Sequence, residues 1–248
     1  MAAEDAPTHA EVDRERALRL LTEGDIEPLG RIPWASNATL LARVCQDDLA
    51  GLAIYKPMRG ERPLWDFPPG LYRREVAAYL VSEALGWGLV PPTVTRDAGP
   101  FGRGSLQLFV DSHDGVTAFE LLERQHPAMP LVAAFDVIVN NADRKGGHTL
   151  AGTNGQVWAI DHGVCFNAEP KLRTVIWEFA GQRLPDGLGA DLVRLAGELD
   201  GAGTLATALA GLLDADEIAA LAGRVAILAD DGVYPEPTSP HPYPWPLV

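Results

Sequence analysis

The chain lacks most of the features that mark disulfide-rich, zinc-binding or membrane-spanning proteins. Its 248 residues include only two cysteines, Cys45 and Cys165, which stand in no CxxC spacing, so neither a disulfide framework nor a zinc site is predicted. No apolar run approaches the roughly 18 residues of a membrane-spanning helix. The N-terminal residues are mainly acidic and lack the pattern of a signal peptide, so we expect a cytoplasmic protein.

Positive charge is also scarce, with 20 Lys and Arg residues against 34 Asp and Glu residues and a formal net charge of -14. An acidic surface repels polyphosphate, so we expect no nucleic-acid partner and no stable association with an anionic membrane. What the chain does have is apolar content: 47% of its residues are hydrophobic, which is typical of a globular protein. Its length suffices for one large domain or two lobes with a substantial core.

Lysine is the rarest charged residue of the chain. It occurs three times, at Lys56, Lys145 and Lys171, whereas arginine occurs 17 times. The two residues are not interchangeable where a compact point charge is needed. A compositional bias toward arginine would leave three lysines by chance, so their meaning depends on the motifs around them.

The apolar pattern divides the chain into a β-rich first half and a largely helical second half. A short amphipathic helix is predicted from Glu11 to Leu21, ended by Gly24. In the first half we then expect five strands, at 26–32, 39–44, 49–55, 90–96 and 105–110. We also expect one helix there, at 73–86. In the second half we expect a buried helix, a strand pair and three further helices, at 129–139, at 149–150 with 157–160, and at 188–200, 203–213 and 214–229.

These elements predict three regions along the chain. They are an N-terminal extension with a short helix at 1–24, an N-lobe at 25–110 and a C-lobe at 111–248. The last region ends in a Pro-rich tail, which is predicted to be extended in polyproline form. The tail either binds a protein partner or braces the C-lobe.

Four charged side chains stand in an order that indicates phosphoryl transfer from ATP. Lys56 ends an apolar strand, and Glu75 follows 19 residues later in the first turn of a helix. Asp143 lies in a polar loop after a buried helix, and Asp161 follows a short apolar strand 18 residues further on. Such chemistry needs a strand lysine on the nucleotide phosphates, a helix carboxylate that orients it, one loop aspartate for the attacking hydroxyl and another for Mg²⁺.

The two polar loops carry more of this prediction than the lysine and the glutamate do. A strand-end Lys and a helix Glu are common pairs, so Lys56 and Glu75 alone say little. The runs NNADRKGGH at 140–148 and IDHG at 160–163 place many polar groups next to buried segments. Burying such groups is costly unless partners or a ligand satisfy them.

These motifs resemble the atypical branch of the kinase superfamily, which contains the phosphatidylinositol 3-/4-kinases, related protein kinases and bacterial toxin kinases. Asp143-Arg144-Lys145 matches the start of the catalytic-loop motif Asp-Arg-His-x-x-Asn, and 160–163 matches the metal motif Ile-Asp-Phe-Gly. From about residue 25 onward, the chain also resembles an SCO-type actinobacterial family described as phosphatidylinositol kinase-like. The segments that carry this second resemblance are 36–39, 55–57, 74–77, 140–145 and 169–173.

The resemblance implies an α+β protein with the two-lobed fold of protein kinases, in its phosphatidylinositol kinase-like form, with a β-rich N-lobe and a mainly helical C-lobe. It implies ATP as cofactor, with Mg²⁺ or Mn²⁺. By that match Asp143 is the catalytic residue that orients the acceptor hydroxyl, with Arg144 and Lys145 beside it. Lys56, positioned by Glu75, would bind the nucleotide phosphates.

Two positions depart from the kinase pattern. The loop asparagine that would share the metal with Asp161 is replaced by His148, a ligand that manganese tolerates better than magnesium does. No Gly-x-Gly-x-x-Gly loop covers the nucleotide, and no strict P-loop motif replaces it. In its place Ser36, Asn37 and Thr39 would offer small polar groups to phosphate, although an ordinary hairpin turn explains the same residues.

Three further expectations concern the residues around these motifs. Adenine would be held by backbone groups at Phe109 and Val110, where the last strand of the N-lobe leads into the hinge. His162 replaces the aromatic residue of the metal motif and is predicted to be structural. Cys165 is predicted to be a buried small residue rather than a nucleophile.

Other polar residues keep two interpretations on sequence alone. Asn140 and Asn141 either brace the catalytic loop or form a turn. Arg144 either pairs with Glu75 or another acid, or lies on the surface. Lys171 and Arg173 either attract an acidic or phosphorylated substrate, or are ordinary exposed charges.

The sequence thus predicts an ATP-dependent phosphotransferase that acts on a hydroxyl of a protein or a small soluble substrate. A lipid substrate is disfavoured, because a chain of charge -14 without a basic cluster approaches an anionic bilayer poorly. Two alternatives stay open: a nucleotide-binding pseudokinase or scaffold without turnover, and a kinase-fold enzyme that transfers AMP.

Overall fold

The computed structural model describes residues 14–33, 37–201 and 203–248, which form an antiparallel sheet and a mainly helical part. The sheet has five strands in the order β1-β2-β3-β5-β4 within the described residues. Its strands are β1 (Asp25–Arg31), β2 (Leu40–Gln46), β3 (Leu49–Pro57), β4 (Thr93–Arg96) and β5 (Gly104–Leu108). Helix α1 (Arg14–Glu23) packs on one face of this sheet through Ala17, Leu20 and Leu21.

The two faces of β3 serve different purposes because side chains alternate along a strand. Ala53 and Tyr55 point toward α1 and are fully buried in the core of the sheet. Ile54 and Lys56 point to the other face, where they line a cleft. The β2–β3 hairpin turns at Asp47, which has a φ of 51° that aspartate tolerates in tight turns.

Helix α2 (Leu71–Leu85) connects the sheet with the helical part. It contacts β4 and β5 on one side and two helices of the second half on the other, so most of its residues are buried. Gly86, with a φ of 71°, ends the helix as a left-handed C-cap, a conformation that glycine adopts without strain. This position places Glu75 in the interior, 2% exposed, beside the cleft.

The helical part consists of five further helices and a small hairpin in the described residues. The helices are α3 (Ala118–Glu123), α4 (Met129–Val139), α5 (Leu188–Leu199), α6 (Thr204–Leu209) and α7 (Ala215–Asp231). Helix α4 is buried along most of its length and ends at Asn140, whose φ of 51° turns the chain into the loop 140–148. No described helix is long and apolar enough to cross a membrane.

The hairpin of β6 (Thr149–Ala151) and β7 (Val157–Ala159) brings two distant motifs together. Thr149 pairs with Ala159, and the Ile160 amide donates to the His148 carbonyl oxygen at 2.9 Å. The residue before β6 and the residues after β7 are therefore neighbours. This pairing places His148 beside Asp161.

The α+β architecture predicted from the sequence is confirmed, with differences at a few elements. The strand predicted at 90–96 begins only at Thr93, because two prolines precede it and supply no backbone donor. The helix predicted at 203–213 is confined to α6. Helix α3 was not predicted, although Thr117 and Glu120 form a capping box, which is a sequence signature of a helix N-terminus. The predicted start of the first helix at Glu11 lies outside the described residues. The region boundaries at 24 and 110 stay predictions.

Candidate active site

A cleft of about 670 Å³ lies between the sheet and the helical part. It is lined by β3 and α2 on one side and by the loops 140–148 and 160–164 on the other. Lys56, Glu75, Asp143, His148 and Asp161 all contribute to its wall. Lys56 and Asp161, which are 105 positions apart in the chain, therefore meet in one cavity.

Lys56 is held between two carboxylates. Its Nζ lies 2.5 Å from Oε1 of Glu75 and 3.0 Å from Oδ1 of Asp161. Burial lowers the pKa of Lys56, but the charges of Asp161 and Glu75 outweigh that effect and raise the pKa above its usual value. Lys56 in turn lowers the pKa of Asp161, so this pair is charged at neutral pH.

Glu75 joins the strand and the loop that carry the other two charges. Its Oε1 accepts from Lys56, and its Oε2 accepts the backbone N–H of His162 at 3.0 Å. Burial raises the pKa of Glu75, and Lys56 partly offsets this. Helix α2 thus fixes the lysine and, through His162, the position of Asp161, which itself has a left-handed φ of 61°.

Asp143 projects from the loop 140–148 with a third of its side chain exposed to the cleft. Its backbone N–H donates to Oδ1 of Asn141 at 3.0 Å, and its Oδ2 lies 3.4 Å from Nζ of Lys145. Burial raises the pKa of Asp143 to about 6, with Lys145 acting against that shift. A carboxylate with a pKa near neutrality is suited to accept a proton and release it again.

A buried ion pair supports this loop from below. Arg144 and Asp136 of α4 are both fully buried, and Nε of Arg144 lies 2.9 Å from Oδ1 of Asp136. The same carboxylate accepts from Asn141 at 3.0 Å and from the Thr174 hydroxyl at 3.1 Å. Of the two interpretations of Arg144, pairing with another acid is the one observed, and that acid is Asp136.

Arg144 also links the loop 140–148 to the segment that carries Asp161. Its Nη1 donates to the carbonyl oxygens of His148 and Ile160, each at 2.9 Å, and its Nη2 lies 2.8 Å from Nε2 of His162. His162 is fully buried, and burial lowers its pKa well below the ordinary value, so it is a neutral internal residue. One guanidinium therefore links both loops.

The geometry of His148 leaves a lone pair directed toward Asp161. Its Nδ1 lies 2.9 Å from the Asp143 carbonyl oxygen, which only accepts, and 3.4 Å from the backbone nitrogen of Lys145, which only donates. The shorter of these two contacts assigns the ring proton to Nδ1. Its Nε2 therefore has the lone pair, and it lies 3.3 Å from Oδ2 of Asp161. Burial lowers the pKa of His148 to about 4, which keeps the ring neutral. Two acceptors this close favour a cation beside them.

Asp161 and His148 together supply only part of the ligands that a divalent ion needs. Among the described residues, no group of three or more His, Cys, Asp or Glu side chains is arranged to hold a metal. Asp161 and His148 would supply one carboxylate and one imidazole. Oxygen atoms of phosphate and water would complete the coordination, which is how Mg²⁺ sites in phosphotransferases are commonly built.

The segment predicted to cover phosphate borders the cleft, but the backbone N–H groups of Ala38 and Thr39 are engaged within the protein. Asn37 and Thr39 line the cleft, whereas Ser36 lies outside the described residues. The N–H of Ala38 donates to the Gly60 carbonyl oxygen at 3.0 Å, and the N–H of Thr39 donates to that of Asn37 at 2.8 Å. Oδ1 of Asn37 accepts the N–H of Arg62 at 2.9 Å. Among the described residues of this segment, the side-chain amide of Asn37 and the hydroxyl of Thr39 are polar groups available to a ligand in the cleft.

Phe109 and Val110 lie beyond the cleft wall. In the part of the chain that the structure describes, Gln107 is the residue of β5 that lines the cleft, and neither Phe109 nor Val110 does so. The N–H of Phe109 donates to the Leu52 carbonyl oxygen at 3.0 Å. Their predicted contact with adenine stays a prediction.

The segment after Asp161 is bound to the rest of the protein on both sides. Asn140 accepts from the Lys171 N–H and donates to the carbonyl oxygens of residues 167 and 169. Of its two interpretations, bracing is therefore observed, and the segment that it braces is the one after Asp161. Nζ of Lys171 lies 3.1 Å from Asp66 and 5.2 Å from the centre of the Trp65 ring. Lys171 is therefore paired, whereas Arg173 lines the cleft.

Comparison with known sequences gives two informative matches. The chain is 43% identical to Protein Rv2133c of Mycobacterium tuberculosis, in an alignment that covers 94% of this chain and 95% of that protein. It is 31% identical to Phosphatidylinositol 4-kinase gamma 4 of Oryza sativa subsp. japonica, over 51% of this chain and 26% of that protein. No protein-family model matches the chain. The SCO-type label named above stays a prediction, since neither relative carries it.

Comparison with solved structures gives kinases. The Golgi casein kinase with Mn/ADP bound has a TM-score of 0.59 at 14% identity, covering 88% of this chain and 74% of that one. The structure of hydra Fam20 with sugar has a TM-score of 0.52 at 14% identity, and the alignment covers 93% of this chain and 91% of that one. At such low identity these likenesses establish the fold. They confirm the two-lobed kinase-like fold predicted from the sequence.

Proposed function

Since the chain belongs to the family of the mycobacterial protein Rv2133c and has a kinase-like fold, we propose that it is an ATP-dependent phosphotransferase. The acceptor is a hydroxyl of a protein or of a small soluble molecule. The observation that carries this proposal is the position of Lys56, whose ammonium bridges Glu75 at 2.5 Å and Asp161 at 3.0 Å in the same cleft as Asp143. That combination supplies a cation for phosphate, an acid for a metal and a base for a hydroxyl.

In this proposal Asp143 acts as the general base. The acceptor oxygen forms a bond to the γ-phosphorus, and the bond from that phosphorus to the β,γ-bridging oxygen breaks. The electron pair of the broken bond stays on ADP, and the acceptor proton passes to the carboxylate of Asp143. Its pKa of about 6 leaves it ionised at neutral pH yet able to take a proton. Lys145, 3.4 Å away, neutralises charge on the transferred group.

Lys56, positioned by Glu75, holds the nucleotide phosphates. The lysine is charged and already oriented, so little conformational entropy is lost when phosphate oxygens replace part of its contact with Asp161. The side chains of Asn37 and Thr39, which line the same cleft, would contact these phosphates. Ser36 is proposed to join them from its sequence position alone. Backbone groups at Phe109 and Val110 would meet adenine after a rearrangement of the strand end.

Asp161 and His148 would hold Mg²⁺ or Mn²⁺. When bound, the ion supplies positive charge that neutralises the phosphates of ATP. The chain contributes one carboxylate and one imidazole lone pair, which Arg144 fixes in place through the carbonyl oxygens of Ile160 and His148. An imidazole in this position favours Mn²⁺ over Mg²⁺.

The acceptor is proposed to be soluble rather than a lipid. The rice phosphatidylinositol 4-kinase resembles only half of this chain, and the net charge of -14 opposes approach to an anionic bilayer. Vesicles of phosphatidylinositol in neutral lipid, mixed with the protein at physiological salt, test this directly. Co-sedimentation together with phosphorylation of the lipid would overturn the preference.

Two other functions are compatible with a kinase-like cleft. The replacement of the loop asparagine by His148, together with the engaged backbone donors of Ala38 and Thr39, favours a pseudokinase or scaffold as the second candidate. Nucleotide would then raise the melting temperature while ATP stays intact. Transfer of AMP is a third candidate, and α- and γ-labelled ATP separate it from phosphoryl transfer.

Intact-mass spectrometry after incubation with ATP and Mg²⁺ or Mn²⁺ tests the proposal. We expect the chain to gain the mass of one or more phosphoryl groups on its own hydroxyls, and the Asp143→Asn variant to gain none. A gain equal to AMP would establish nucleotide transfer. An unchanged mass with unconsumed ATP would contradict the phosphotransferase proposal.

A further inference from the structure

Residues 242–247, here called the strap, run along the loop that carries Asp143. The Pro242 carbonyl oxygen accepts the Thr174 N–H at 3.0 Å and the indole N–H of Trp177 at 3.1 Å. At its other end the Leu247 carbonyl oxygen accepts the N–H of Gly146 at 2.8 Å. The strap therefore contacts the loop directly and through the segment 174–177.

Gly146 lies at the point where the strap meets the loop. It is buried between the Phe119 ring of α3 and the strap, and a Cβ at this position would come within 2.7 Å of that ring. It stands between Lys145 and His148, three residues after Asp143. A small displacement of Gly146 would therefore move both the proposed base and the proposed metal ligand.

The other end of the strap holds the loop through a backbone ladder. The N–H of Arg144 donates to the Arg173 carbonyl oxygen at 3.0 Å, and the Arg144 carbonyl oxygen accepts the N–H of Val175 at 3.1 Å. Thr174, between these two partners, donates its N–H to Pro242 of the strap. The strap, the segment 173–175 and the loop thus form three successive backbone layers.

The strap itself is held by few apolar contacts. Pro244 is its buried residue, whereas Tyr243 and Trp245 are 53% and 87% exposed. A segment that buries few side chains opens at a lower free energy than the cores do. The strap can therefore leave the loop without unfolding of the cores.

We propose that the strap is a positioning element of the catalytic loop, which sets the turnover of the enzyme and not its affinity for nucleotide. This inference rests on the proposed function. Lys56, the proposed phosphate-binding residue, and Glu75, which orients it, lie on β3 and α2. Among the described residues, neither forms an ion pair or a side-chain hydrogen bond with the strap. Release of the strap moves Asp143 and His148 relative to that fixed pair, so it slows the transfer of phosphate to the acceptor.

A variant that ends at Pro246 tests the inference, because it removes the Leu247 carbonyl oxygen and only exposed side chains. Leu247→Ala is the matched control, since it keeps that carbonyl oxygen. We expect kcat of the shortened variant to fall about threefold to tenfold, the effect of one hydrogen bond, with an unchanged KM for ATP. The control is expected to keep both constants. A second variant, with two glycines inserted between Pro246 and Leu247, displaces the same carbonyl oxygen without removing any residue.

Hydrogen exchange supplies a readout that does not depend on activity. The amides of 145–148 should exchange faster in the shortened variant than in the control, and those of α2 should not change. Equal exchange, equal kcat, or a changed KM with constant kcat would each overturn the inference. If the unaltered chain turns over no ATP, the proposed function fails, and the exchange data still decide whether the strap holds the loop.

Discussion

Arg144 and Asp136 form an ion pair with 2.9 Å between Nε and Oδ1, and both side chains are fully buried. Through this pair the guanidinium reaches the backbone at His148 and Ile160, and the carboxylate reaches Asn141 and Thr174. The loop of the proposed base and the loop of the proposed metal ligand are thereby fixed to the same helix, α4. Desolvating two charges is costly, so such a pair indicates precise positioning more than net stability.

Removing one partner of this pair should strongly destabilise the protein. Asp136→Ala leaves the charge of Arg144 buried without its acid, which we expect to lower the free energy of unfolding by about 3–5 kcal/mol. Arg43→Ala, which removes an exposed and distant partner of Glu27 at 3.9 Å, should change it by about 0.5 kcal/mol or less. Urea denaturation measures both. Equal effects of the two substitutions would refute the role of the buried pair.

Lys56 should be required for nucleotide binding. Lys56→Met removes the cation that would face the phosphates, and we expect the Kd for ATP to rise about tenfold to a hundredfold. Lys171→Met is the control, because the Lys171 ammonium is occupied by Asp66 and does not line the cleft. Isothermal titration with ATP and Mn²⁺ compares them. If the Kd of Lys171→Met rises as much as that of Lys56→Met, Lys56 is not the residue that binds the phosphates.

His148 should set the choice of metal. An asparagine at this position replaces an imidazole nitrogen by a harder amide oxygen, which suits Mg²⁺ better. For His148→Asn we expect the ratio of kcat with Mn²⁺ to kcat with Mg²⁺ to fall, and EDTA to abolish turnover in both proteins. Rates at matched concentrations of the two ions measure this ratio. If it is unchanged, the imidazole does not contact the metal.

The C-cap of α2 should contribute to stability through its backbone conformation. Gly86→Ala places a Cβ on a residue with a φ of 71°, so we expect the free energy of unfolding to fall by about 1 kcal/mol. Gly197→Ala lies within α5, where a Cβ meets no atom within 4 Å, and should raise it by about 0.5–1 kcal/mol. Thermal unfolding compares the two variants. The same sign for both would contradict this account of the cap.

The arrangement around Lys56, Glu75, Asp143 and Asp161 could be anticipated because each residue stands in a recognisable local context. Strand alternation orients Lys56, and a hairpin brings the two loops together. The roles of these residues remain predictions. Their proximity follows from the fold.

Asp136 was missed for a physical reason. It lies in the apolar run MPLVAAFDVIV, where its pattern is that of a core helix, and its partner lies eight residues further on in a loop. A lone acid in a buried helix must be paired. The sequence therefore indicated that Asp136 has a buried partner, but not which residue that partner is. Bracing of the C-lobe was one of two interpretations of the Pro-rich tail, but its contact with Gly146 could not be predicted. A Pro-rich run without periodicity does not indicate which surface it contacts.

The rate of ADP formation from ATP in the presence of Mn²⁺ tests the central claim most directly, with Asp143→Asn and the unaltered chain prepared in parallel. The account predicts steady conversion of ATP to ADP and phosphate by the unaltered chain, with water in the place of the acceptor hydroxyl. It predicts a rate at least about a hundredfold lower for Asp143→Asn, with an unchanged Kd for ATP. Equal rates for the two proteins would contradict the assignment of Asp143 as the base and, with it, the proposed phosphotransferase mechanism.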